Sequence, residues 1–136
     1  MKWLCRNLYR KEKGFTLVEL MVVIIILAVL TGIAIPSYMA LRNRARVAAA
    51  QSEMKNIATA LELYMADLEA YPATTFAVMA AAIEAGNYMV DVPALDPWGA
   101  ISYVYELAGT TYTLTCYGPN GVVGTDDIVI INGQLQ

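Results

Sequence analysis

The chain has 136 residues, of which 58% are hydrophobic, with a formal net charge of −3 and no histidine. That length holds one membrane helix and one small domain but not two full domains. The missing imidazole, with no paired nucleophile and base and no Gly-rich phosphate loop, argues against an enzyme. No base follows Lys55, and the purely anionic remainder would repel nucleic acid phosphates while suiting divalent cations.

Residues 1–14 read as a leader that is removed and takes no part in the mature fold. It carries Lys2, Arg6, Arg10, Lys11 and Lys13 against one acid, Glu12. From Leu20 to Leu41 there is no charge, and at about 1.5 Å per residue this run spans roughly 30 Å as a helix, the thickness of a hydrocarbon core. The basic flank keeps the N-terminus in the cytoplasm and sends the rest across. An ordinary secretory signal peptide fits less well, because the run is longer and no A-x-A site closes it. Glu19 stands at the edge of the run, where an unpaired carboxylate costs about 2.5–3.5 kcal/mol at membrane depth. Either it reaches water at the boundary or it has a partner.

The stretch Gly14-Phe15-Thr16-Leu17-Val18-Glu19, behind a short basic leader and ahead of an uninterrupted apolar helix, resembles the processing motif of type IV pilins and of the pseudopilins of type II secretion. The resemblance implies that a prepilin peptidase cuts between Gly14 and Phe15 and methylates the new amino group of Phe15. It also implies that Glu19 of one subunit neutralises the terminal amine of a neighbour, setting register during assembly. The residues suit that chemistry: Gly14 lies extended in a protease cleft without a side chain, and opposite charges beside lipid attract strongly.

Gly32 and Pro36 interrupt the apolar helix near its outer end, Pro36 by removing a backbone hydrogen bond. By the resemblance this segment loses helical structure in assembled filaments; a plain proline kink fits the residues equally well. Arg42, Arg44 and Arg46 follow, placed where lipid headgroups can accept them. Val47, Ala50, Met54, Ile57, Leu61, Tyr64 and Leu68 then recur in steps of three and four, a sustained amphipathic stripe. One helix from Phe15 to Ala70 would be roughly 84 Å long, with Tyr71-Pro72 ending it.

Thr74-Thr75 caps a short helix through Ala85, closed by Gly86. Asp96-Pro97-Trp98-Gly99 is a turn signal. Strands are expected over Ile101–Leu107 and Thr111–Tyr117 around Ala108-Gly109-Thr110, with Tyr112, Leu114 and Cys116 on one face, and over Ile128–Ile131 before an Asn132-Gly133 turn. The expected fold class is α+β: a long N-terminal helix, transmembrane then amphipathic, packed on a three-stranded antiparallel sheet in a pilin-like lollipop. The divisions are 1–14 leader, 15–41 transmembrane and assembly helix, 42–71 amphipathic continuation, and 72–136 globular head. Loss of the leader takes Cys5 with it and leaves Cys116 without an intramolecular partner, most simply as a small buried apolar residue.

Tyr71-Pro72, the Asp-Pro-Trp-Gly turn and the Gly-rich acidic loop before the last strand resemble the major pseudopilin of type II secretion, although Asn120 stands where an aspartate is common. The expected function is a membrane-stored subunit of a helical homopolymer, favoured as a major pseudopilin. A pilin of a surface pilus serving adhesion, motility or DNA uptake shares the rod and remains an alternative. So does, from another class, a membrane-anchored binding protein that never polymerises. The resemblance implies as partners other copies, minor pilins or pseudopilins, the prepilin peptidase and an inner-membrane assembly platform. The location is the bacterial inner membrane, with a single pass and the head in the periplasm or outside. In the loop from Gly118 to Asp127, Asn120, Asp126 and Asp127 are oxygen donors suited to calcium, as the resemblance also implies, although an adjacent Asp pair can equally be solvated.

Gly14→Val is expected to leave the leader uncut and the chain retained in the membrane at precursor size. Immunoblotting of membranes, with mass spectrometry of the N-terminus, checks this; mature-sized protein from the variant would place the cut elsewhere.

Overall fold

The computed structural model describes residues 14–73, 75–99 and 101–136. The leader bases and Thr74 lie outside the described residues. Helix α1 (Leu17–Leu68) comes first, then α2 (Phe76–Ala85) and strands β1 (Val104–Ala108), β2 (Thr111–Cys116), β3 (Ile128–Ile131) and β4 (Gln134–Leu135). Contacts divide the chain into two units, one ending at Met39 and the other running from Ala40 to Gln136.

The first unit contains the part of α1 that is long and apolar enough to cross a membrane, and no residue of it is buried against the chain. Its hydroxyls are absorbed by the helix: Thr31 Oγ1 donates to the Leu27 and Ala28 carbonyls at 2.8 and 3.0 Å, and Ser37 Oγ to Ile33 at 3.2 Å. Pro36 sits inside α1. In the single chain α1 stays helical through Gly32 and Pro36, since one missing amide bond is tolerated in a helix.

In the second unit α1 becomes one-sided. Ala50, Met54, Ile57, Ala58, Ala60 and Leu61 are buried, Val47 and Tyr64 pack against them, and Leu68 at the end of the stripe is exposed. Each large apolar side chain that is fully buried contributes about 1.5–3 kcal/mol. Glu69, with φ 55°, stops the helix by entering the left-handed region, its N–H bonded to the Met65 carbonyl at 2.9 Å. Tyr71-Pro72, expected as the terminator, lies just beyond. Helix α2 starts as expected at Thr75, whose Oγ1 accepts the Val78 amide, and ends at Gly86.

The sheet is antiparallel with order β1-β2-β3-β4, four strands where three were expected. Ala108 pairs with Thr111 across Gly109-Thr110, and Gly109 (φ 64°) takes the first central position that a tight hairpin reserves for glycine. The extra strand comes from Asn132-Gly133: with φ 44° and 77° both residues adopt the left-handed turn that sends the chain straight back, pairing Ile131 with Gln134. A turn so close to the chain end had left too few residues to read as a strand. Strand β2 alternates as the sequence indicates, with Tyr112, Leu114 and Cys116 buried. Ile128 and Ile130 of β3 join them, and Met79 and Ile83 of α2 complete the core.

Tyrosines line the seam. Tyr71 and Tyr112 meet edge to face at 4.9 Å, and Tyr64 and Tyr88 at 5.5 Å. Tyr105, buried, donates its hydroxyl to the Pro72 carbonyl at 3.1 Å, pinning the segment after α1 to β1. Burial, then the neighbouring tyrosines, pushes the Tyr105 phenol up to about 12. Burial followed by Glu53 raises Tyr103, and burial followed by Glu62 raises Tyr112.

A raised phenol favours the folded state while it is protonated, so its contribution is complete below the unfolded value of about 10 and is lost as pH climbs through the folded value. Denaturant unfolding of the detergent-solubilised chain is expected to show stability falling from about pH 10. The decline between there and about 12 should be shallower for Tyr105→Phe. An identical pH slope in the variant would show that Tyr105 is not held protonated by the fold.

Candidate functional site

At the start of α1, Thr16 occupies the N-cap position and Glu19 the third helical position. Glu19 Oε2 accepts the Thr16 amide and the Thr16 hydroxyl, both at 2.9 Å, while the Glu19 amide donates back to Thr16 Oγ1 at 3.1 Å. This is a capping box: two orphan helix amides and a carboxylate satisfy one another at the positive end of the helix dipole. Glu19 is thus partnered within its own chain. The role of Thr16 was missed by the sequence reading, although its signal, Thr-x-x-Glu ahead of an apolar run, stands in the motif.

Gly14 and Phe15 precede the cap and are exposed. A Cβ built on Gly14 meets nothing within 4 Å, and the same is true of Gly32. Neither glycine is required by packing against a described residue. Pro36 is one helical turn from Gly32 in the same exposed segment.

In the second unit several carboxylates are held by neutral donors. Tyr103 donates to Glu53, Tyr71 and Tyr112 to Glu62 Oε1 at 3.2 and 3.4 Å, and Tyr88 to Asp67 at 2.9 Å. Glu84 accepts the Val92 amide at 2.8 Å. Asp96 is buried and accepts the Trp98 amide at 3.1 Å, with Gly99 closing the turn onto the Asp96 carbonyl at 2.8 Å, so its expected turn role is what the geometry contains. Cys116 is buried and free, and burial, with Asp96, Asp127 and Glu53 nearby, raises its thiol and keeps it unreactive.

The loop before β3 opens with a 3₁₀ turn at Gly118–Asn120. Gly118 (φ 68°) is pressed against the far end of the loop: an added Cβ would lie 3.0 Å from the Asp126 carbonyl oxygen. Asn120 Nδ2 donates to Asp126 Oδ1 at 2.8 Å and its Oδ1 accepts the Val122 amide at 2.9 Å. Asp127 turns elsewhere, Oδ2 accepting the Gly124 amide at 3.1 Å, while its Oδ1 is buried with no partner among the described residues. The structure therefore joins Asn120 to Asp126 directly and places Asp127 on a separate contact. Among the described residues no group of three or more His, Cys, Asp or Glu gathers at one point.

A helix that starts at a capped Thr-x-x-Glu motif, presents an exposed apolar half and then carries a small antiparallel sheet defines the pilin-like class of α+β proteins. Residues 9–35 match the model of the prokaryotic N-terminal methylation motif. Residues 37–132 match that of the type II secretion system protein G, and the chain belongs to that family. It is 35% identical over 131 residues to the type II secretion system core protein G of Pseudomonas aeruginosa, covering 87% of this chain and 91% of the relative. The protein of that name from Escherichia coli is also 35% identical, over 86% and 88% of the two chains, and that from Vibrio cholerae 30%, over 85% and 88%. No solved structure matches the chain. One N-terminal apolar helix and this family membership together mark the chain as membrane-anchored.

Proposed function

We propose that the chain is the major structural subunit of a type II secretion pseudopilus, stored in the inner membrane and polymerised through residues 15–41. The observation that carries this reading is the apolar half of α1, exposed along its whole length in the single chain. Such a surface must be covered, first by lipid and then by the equivalent helices of other copies. Family membership supports the same conclusion. The N-terminus lies in the cytoplasm and the head in the periplasm. The prepilin peptidase cuts between Gly14 and Phe15, and minor pseudopilins and an inner-membrane platform take part in assembly.

Calcium fits the loop of Asn120, Asp126 and Asp127. The buried, unpartnered Asp127 Oδ1 is an acceptor in want of a cation or donor, and backbone carbonyls of the irregular segment supply the further oxygens a hard cation requires. There it would hold the loop closed in a head that has no disulfide. Since a ligand that binds only the folded state raises stability, the melting temperature of the detergent-solubilised chain is expected to rise with calcium and fall back with chelator. Asp126→Ala combined with Asp127→Ala should lose the difference; superimposable wild-type curves with calcium and with chelator would remove the metal.

Glu19→Val is expected to insert and be cleaved normally yet to lower filament yield by about tenfold or more. The carboxylate that meets a neighbour's terminal amine is lost, while the membrane-inserted monomer is relieved of a charge. Quantifying sheared filaments against total mature protein checks this, and wild-type yield would show that the capping box is the whole role of Glu19.

A further inference from the structure

Arg42, Arg44, Arg46 and Lys55 form no ion pair with any described residue. Of the acids, Glu53, Glu62, Asp67, Glu84, Asp96, Asp126 and Asp127 are engaged by tyrosines, amides or Asn120. Glu69, Asp91 and Glu106 are exposed and make no side-chain contact of that kind with a described residue. The second unit thus carries unpaired cations on its helix and unpaired carboxylates elsewhere on its surface, a pattern that is self-complementary between copies and unsatisfied within one.

Lys55 has in addition a built surface around it. It lines an open groove of about 470 Å³ between α1 and the β3–β4 turn, together with Thr59, Glu62, Asn132 and Gln134. The Asn132 Oδ1 is taken by the Tyr112 amide at 3.0 Å, which leaves its Nδ2 as a donor. Glu62, at the other end, already holds two tyrosine hydroxyls. An ammonium with amide donors beside it is a receptor for a carboxylate. A lipid phosphate is the other anion at hand. Fourteen residues separate Lys55 from Leu41 at the end of the apolar run (55 − 41), which is about 21 Å of helix, against a headgroup layer of roughly 5–7 Å.

We propose that the Lys55 groove docks an exposed carboxylate of a second copy of this chain, drawn from Glu69, Asp91 and Glu106, with Arg42, Arg44 and Arg46 steering its approach. The inference rests on the polymer reading and adds to it the polarity of the contact: helix cation of one subunit, head anion of the next. Lys55 is the only lysine after the proposed cut, since the others are Lys2, Lys11 and Lys13. A zero-length carbodiimide, which joins an amine to a carboxylate in direct contact, therefore reports on this site.

Applied to filaments of the full chain, the reagent is expected to give a covalent dimer whose digest links Lys55 to Glu69, Asp91 or Glu106. Lys55→Arg, which keeps the charge but has no reactive amine, should assemble and lack that dimer. Lys55→Glu should lower filament yield about tenfold, and reversing the partner acid identified by the cross-link should restore it. Filaments without a Lys55 dimer, or undiminished assembly of Lys55→Glu, would overturn the inference while leaving the polymer intact. Wild-type filament yield from Lys55→Glu with lost binding to phosphatidylglycerol vesicles would assign the lysine to lipid instead and overturn it too. A processed wild-type chain that forms no filament would remove the polymer reading itself, and the docking with it.

Discussion

Everything in this molecule depends on one helix whose surroundings change along its length. From Leu20 to Leu41 α1 carries no charge, and every one of these residues is exposed among the described residues. In hydrocarbon a backbone must satisfy all its polar groups internally, and an unbroken helix does so. Beyond Arg46 the same helix turns amphipathic, and only the stripe through Ala50, Met54, Ile57 and Leu61 is buried. The first half needs an environment from outside; the second carries its own partner in the sheet. The cap at Thr16 and Glu19 and the left-handed Glu69 close the two ends without help from tertiary packing.

A second constraint follows from the absence of any base after Lys55. A small head with many acids would ordinarily neutralise some of them with lysine or arginine. Here Tyr71, Tyr88, Tyr103 and Tyr112 instead hydrogen-bond three of them with neutral hydroxyls, leaving the charge in place. A phenol pays little desolvation compared with an ammonium and brings a ring to bury.

Most of the fold was legible because its periodicities are strong. The three-four stripe located α1, the alternation of Tyr112, Leu114 and Cys116 located β2 and its buried face, and Thr75 and Gly86 bounded α2. What escaped detection was local and conformational. Strand β4 is only two residues long, and its existence depends on both Asn132 and Gly133 turning left-handed. Glu69 gives no sign in the sequence that it will leave the helix before Tyr71-Pro72. The pairing of Asn120 with Asp126, and the isolation of Asp127 Oδ1, are side-chain choices within a loop that no periodicity constrains. Thr16 is different: Thr-x-x-Glu ahead of an apolar run is itself a capping-box signal.

The capping box also changes how the proposed exchange between copies must work. In the single chain Glu19 is not a bare charge waiting beside lipid, since Thr16 supplies two hydrogen bonds to it. Cleavage before Phe15 would leave Thr16 in place and create an amine one residue upstream of it, so the box and the new cation would share one carboxylate. A neighbour's amine then competes with an existing arrangement. What it adds is the Coulomb attraction of a full charge at low dielectric, against neutral hydrogen bonds that a carboxylate with two oxygens can largely retain. Glu19 can serve as helix cap in storage and as cap and counter-ion together in a polymer, so assembly need not begin by exposing a buried charge.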